Sequence, residues 1–175
     1  MNRQDLEHII RASAAIAQVD TLVIVGSQSV LGAYPHAPPA LLVSDEADIL
    51  IPNQSDLADL VEGAIGEGSA FHDTFGYYAQ AVDERTSVLP EGWSSRLVAI
   101  CNENTRGATG LCLDPHDLVV AKLVAGRDKD LRFARDALAG GILDLVLLQE
   151  RFAMTSVHEA VRQITDARIA ALGGR

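Results

Sequence analysis

A chain of 175 residues, 48% hydrophobic and 22% charged, is long enough for one compact α/β domain with a helical appendage. Its formal charge of -10 excludes a broad grip on nucleic acid, which needs clustered bases facing phosphate. No apolar run nears the ~18 residues that span a bilayer, the first residues lack a signal-peptide core, and the chain reads as cytoplasmic.

In chain order, Leu6, Ile9, Ile10, Ala14 and Ala17 recur at helical spacing, so residues 5–18 form an amphipathic helix. Residues 22–25, Leu-Val-Ile-Val, have the length and branching of a strand. Gly26-Ser27 interrupts it, residues 28–34 suit a short helix, and Pro35, Pro38 and Pro39 impose a loop. Residues 47–51 make a second strand. Ser55 is the expected cap of a helix that buries Leu57, Leu60, Val61, Ala64 and Ile65 and stops at Gly66. Residues 66–76 read as irregular. Strands follow at 77–82 and 96–100, joined by Leu-Pro-Glu-Gly-Trp at 89–93, and a last one at 109–113. Trp93 is either a packing anchor for that connection or a platform for a stacked base.

From Asp114 the chain turns helical. Asp114 is an N-cap, Pro115 stands at the first helical position, and Asp117 falls where a capping carboxylate belongs. This helix runs to Gly126. Others cover about 129–138 and 143–152, and the last opens with the capping box Ser156-x-x-Glu159 and buries Val157, Ala160, Val161, Ile164 and Leu172. Cys101 and Cys112 are two reduced core thiols or a facing pair on adjacent strands. The five histidines show no metal-site spacing. The architecture expected is α+β: a small mixed β-sheet core over about 20–113 with flanking helices, and a helical bundle over 114–175, all in one domain.

Two segments carry chemistry. At Gly26-Ser27 a buried strand ends and a helix begins, which aims backbone N–H groups at one point where a phosphate is stabilised. A plain turn with an N-cap has the same pattern. Glu46 and Asp48 stand two apart at the start of a strand, so their side chains share a face with Cα atoms roughly 6.5 Å apart. Such a pair converges on one or two divalent cations, or it is a solvated strand end. Asp45 points the other way, to solvent. The bases Lys122, Arg127, Lys129, Arg132 and Arg135 crowd one stretch of an otherwise acidic chain. Arg127 and Lys129 are phosphate contacts or surface partners of Asp128 and Asp130.

Together, Gly26-Ser27 and the Glu46-Ala47-Asp48 strand resemble the nucleotidyltransferase superfamily with the DNA polymerase β-like fold. The stretch Leu113-Asp114-Pro115-His116-Asp117-Leu118 through Lys122-Leu123-Val124-Ala125-Gly126-Arg127-Asp128-Lys129-Asp130 resembles the helix pair of its bacterial AbiEii-toxin-like branch. The resemblance implies that Gly26 and Ser27 contact the triphosphate of an NTP, that Glu46 and Asp48 bind Mg²⁺ in a one- or two-metal site, and that Lys122, Arg127 and Lys129 contact phosphate or acceptor. It implies transfer of a nucleotide monophosphate to a hydroxyl of an RNA end, a protein or a small molecule, in a toxin–antitoxin or phage-defence setting with an antitoxin partner. It also calls for a third, catalytic carboxylate on a neighbouring strand, for which Asp83 is the candidate and Glu84 its rival. Glu46 stands where many relatives have Asp. These departures motivate an alternative, a catalytically inactive module of the same fold that binds a nucleotide or a partner.

Overall fold

The computed structural model describes residues 1–83 and 85–174. Thirteen elements follow in order: α1 (Arg3–Ala17), β1 (Thr21–Ile24), α2 (Val30–Ala33), β2 (Glu46–Leu50), α3 (Ser55–Ile65), α4 (Ala70–Phe75), β3 (Tyr78–Ala81), β4 (Val98–Ile100), β5 (Thr109–Cys112), α5 (Pro115–Ala125), α6 (Asp128–Ala139), α7 (Leu145–Ala153) and α8 (Glu159–Gly173). The strands form one mixed sheet in the order β3-β2-β1-β5-β4. β1 is central, antiparallel to β2 and parallel to β5, while β3 runs parallel to β2 and β4 antiparallel to β5. This is the α+β architecture expected from the sequence, with its helical C-terminal part.

The register divides the sheet into two chemically different faces. Gly110 pairs with Leu22, Ile24 with Ile49, and Ala47 with Ala79, so these residues share one face. All of the large ones are fully buried there. α1 covers this face so closely that a Cβ on Gly110 would lie 2.4 Å from Ile10 Cδ1. The amphipathic face of α1, Leu6, Ile9, Ile10, Ala14 and Ala17, supplies the cover, and its Asn2 capping box fixes where it starts. The opposite face carries Glu46, Asp48, Tyr78 and Gln80. Among the described residues no helix is long and apolar enough to cross a membrane.

Several local expectations are corrected. Ser55 is the first helical residue and Gln54 the cap, because Asn53 in a left-handed conformation turns the chain into the helix one residue early. Leu60 and Ala64, expected on the buried face, are exposed, and α3 packs through Val61 and Ile65, as expected, together with Ala58. Residues 66–76 are not wholly irregular: Ser69 accepts the His72 N–H and starts α4, so Gly68 and Gly76 bound a helix rather than prevent one. Asp117 caps nothing. It is fully buried, with Arg96 Nε 2.8 Å and Arg151 Nε 3.5 Å from its carboxylate. The capping box at Ser156 is absent because the chain stays extended to His158, whose Nδ1 accepts the Ala160 N–H. α8 accordingly buries Thr165 and Ile169, while Ile164 is exposed. Of the two thiols only Cys112 is in the core, and burial pushes it up to about 12; Cys101 is exposed. Trp93 opens a one-turn 3-10 helix and packs against the core beside Leu89, as an anchor does.

Candidate active site

β1 and β2 are neighbours, and Val25 donates its N–H to Asp48 O, so the Gly26-Ser27 turn is laid directly against the carboxylate strand. The approach is closer than any side chain at position 26 permits. A Cβ there would stand 1.5 Å from Asp48 Oδ2, so the glycine is needed for space and not for an unusual φ. The two sequence signals are therefore one piece of structure. After the turn comes a three-residue 3-10 segment, Ser27–Ser29, and only one turn of α2. The helix-end contribution expected there is consequently small, and the turn acts through the Ser27 hydroxyl and nearby backbone.

That hydroxyl accepts a hydrogen bond from Lys122 Nζ at 2.8 Å. Lys122 is nearly buried, lies over the Phe133 ring and is 3.3 Å from Asp130 Oδ1. Burial lowers its pKa, and Asp130 only partly compensates. Asp130 also accepts from Arg127 Nε at 2.6 Å. Burial works against the Asp130 carboxylate, but the hydrogen bonds from Arg127 and Lys122 and their charges hold its pKa below the usual range. Gly126, left-handed at φ 67°, ends α5 and redirects the chain so that bases from two helices reach one cleft. Of the two readings open for Arg127, the ion pair is present and so is the place in the cleft. Lys129 pairs with neither Asp128 nor Asp130; its Nζ lies 3.8 Å from Glu46 Oε1.

The cleft has a volume of about 570 Å³. Its polar lining includes Gly26, Ser27, Glu46, Asp48, Gln80, Lys122, Arg127 and Lys129, and its apolar lining Val82, Val88, Leu118, Ala121, Val124 and Ala125. Asp48 is raised above its ordinary pKa, first by burial and then by the charge of Glu46. A carboxylate pair so placed favours a bound cation, which removes the repulsion.

Asp83 does not join this group. Past the end of β3 it lines two other recesses with Leu50, and its Oδ1 accepts the Arg85 N–H. Glu84 lies outside the described residues. On the cleft face, the β3 residue in register with Asp48 is Gln80, and Tyr78 stands opposite Glu46 with its hydroxyl 3.4 Å from Glu46 Oε2. No three potential ligands among His, Cys, Asp and Glu come together as a metal cluster among the described residues. Tyr78 and Gln80 were invisible as site residues in the sequence. Only the parallel register of β3, which no local pattern specifies, sets them beside the carboxylates.

A family model matches residues 4–170, nearly the whole chain, under the description "Nucleotidyltransferase of unknown function". The chain belongs to the DUF6036 family. Neither the curated proteins nor the solved structures contain a match. The DUF6036 match runs from α1 to α8, so the helices that bring Lys122, Arg127 and Lys129 belong to the family domain as fully as the sheet does.

Proposed function

We propose that the protein transfers a nucleotide monophosphate from an NTP to a hydroxyl acceptor, with Mg²⁺ held by Glu46 and Asp48. The observation that supports this most directly is the contact between Gly26 and Asp48, which leaves no room for any side chain between the phosphate turn and the carboxylates. The donor set suits Mg²⁺, which takes one or two carboxylates and keeps waters on its other positions. When bound, the ion supplies charge neutralisation at the phosphoryl oxygens. The chain's own groups do the rest. Ser27 and Lys122 bind phosphate oxygens, Arg127 offsets the charge that develops on the departing pyrophosphate, Lys129 faces the acceptor side, and the apolar residues of the cleft exclude water from the nucleoside. Asp130 opposes loss of the Lys122 proton and, through its hydrogen bonds, aims both Lys122 and Arg127. The likeness to AbiEii-type toxins extends the proposal to a phage-defence role alongside an antitoxin partner.

One observation favours a second reading. Gln80 occupies the place beside Asp48 where a third carboxylate would complete the site, which suits a module that binds nucleotide without turning it over. Calorimetric titration of the four NTPs with Mg²⁺, on the wild type and on Glu46→Ala/Asp48→Ala, tests the shared site. Metal-dependent binding lost in the double variant is the expected result. Equal binding by both proteins would remove Glu46 and Asp48 from the reading. Binding without release of pyrophosphate in the presence of acceptors would leave the inactive module.

A further inference from the structure

A second recess, of about 260 Å³, opens beside the cleft between residues 40–44 and α6. It shares four residues with the cleft, Ser27, Glu46, Lys122 and Lys129, but not Gly26, Asp48 or Arg127. Its remaining walls include the apolar Leu41, Val43 and Phe133 and the charged Arg132 and Asp136.

We propose that this recess is the acceptor subsite and that it takes a small hydroxyl compound bearing an anionic group, a reading that rests on the nucleotidyltransferase function above. In-line displacement needs the acceptor oxygen to approach the α-phosphorus from the side opposite the pyrophosphate. A phosphorus held at the four shared residues is reachable from both chambers. The acceptor oxygen forms its bond to the α-phosphorus as the bond to the bridging oxygen breaks. Pyrophosphate leaves with that electron pair, and the hydroxyl proton passes to water.

Charge and size select the acceptor class. Lys129 and Arg132 stand one turn apart on α6, and Arg132 is exposed and joins no ion pair among the described residues. Lys129 is paired only loosely with Glu46, at 3.8 Å, and is released to other anions once a cation takes that carboxylate. Asp136, a turn beyond Arg132, disfavours a second anionic group at that end and so argues against a run of phosphates. The volume lies at or below the small end of ligand sites, and the net charge of -10 provides no basic track for a polynucleotide.

The test measures transfer from α-labelled NTP with Mg²⁺ to glycerol 3-phosphate and glycerate, to the neutral glycerol, to a short oligoribonucleotide and to casein. Wild type and Arg132→Ala are compared, with NTP binding followed separately by calorimetry. The expected result is label on an anionic small acceptor, with its KM raised about tenfold in Arg132→Ala, the loss of one charge-assisted contact. The NTP affinity should stay unchanged. Label on the oligoribonucleotide or casein alone, an acceptor KM indifferent to Arg132, or NTP binding with no transfer to the anionic probes would each overturn the subsite. Failure of NTP to bind at all would instead overturn the function on which it rests, and the subsite with it.

Discussion

Asp48 is held in an environment that disfavours its own charge. Burial and the neighbouring Glu46 raise its folded pKa, and the bases Lys122, Lys129 and Arg127 pull it down only in part. A group whose folded pKa lies above its unfolded value adds stability at pH below the unfolded pKa, and that contribution is lost as pH rises through the folded pKa. At neutral pH Asp48 therefore costs stability in the metal-free protein, as the proposed cation site requires. Asp48→Asn keeps the shape against Gly26 and removes the charge. It should raise the melting temperature of the metal-free protein at neutral pH, by about 2–4 °C for each kcal/mol regained. Mg²⁺ should raise the melting temperature of the wild type but not of the variant. A metal-free Asp48→Asn that melts below the wild type would show that the carboxylate is stabilised by its surroundings, contrary to the geometry.

Helix α5 delivers Lys122 and much of the apolar wall of the cleft, and its C-terminal end is held from outside. The Arg168 guanidinium, on α8, donates to Leu123 O and, at 3.4 Å, to Val124 O. It also fills the space over Gly126, where a Cβ would stand 2.2 Å from it. A cation on terminal carbonyls satisfies groups the helix leaves open and opposes the negative end of its dipole. Arg168→Ala should cost about 1.5–3 kcal/mol of stability in urea denaturation, with partial recovery in Arg168→Lys. A variant as stable as the wild type would mean that α5 ends on its own. At this scale much was legible in advance. The periodicity of α1, the glycine after α5 and the carboxylate strand are local patterns, and each element formed where its pattern lies. What was not legible depends on partners distant in sequence: Asp117 looks like a cap until Arg96 and Arg151 meet it, and Asp83 looks like a site residue until β3 fixes Gln80 beside Asp48. Gly26 and the Glu46–Asp48 pair could be read separately, but their contact needed β1 set against β2.

Across the whole molecule, acidic residues outnumber basic ones by 24 to 14, yet Lys122, Arg127, Lys129 and Arg132 converge on the two connected chambers. On the proposed function, the cleft draws a small anion while the acidic surface around it repels large ones. The same excess of carboxylates sets the response to acid. Burial opposes ionisation of Glu7, but hydrogen bonds from Asn104, Arg3 and Asn102 outweigh it and hold its pKa low. Asp114, beside His116, and Asp130, between Arg127 and Lys122, are lowered by the same balance. For such groups the stabilising contribution is present above the unfolded pKa and disappears as pH falls through the folded one, so it fades below about pH 4. His8, half-buried beside Phe71, Phe75 and Tyr77, is lowered by desolvation and by Arg11, so it resists protonation in the fold and stability begins to fall near the ordinary histidine range, about pH 6.5. Acid loss should thus come in two stages, followed by urea midpoints across pH. Glu7 ties α1 to the 102–104 turn far from the cleft, so Glu7→Gln isolates the lower stage. It should cost about 1.5–3 kcal/mol at neutral pH, and that gap should close as the wild-type carboxylate is protonated. A gap as wide at about pH 3 as at about pH 7 would mean that Glu7 acts through shape rather than charge.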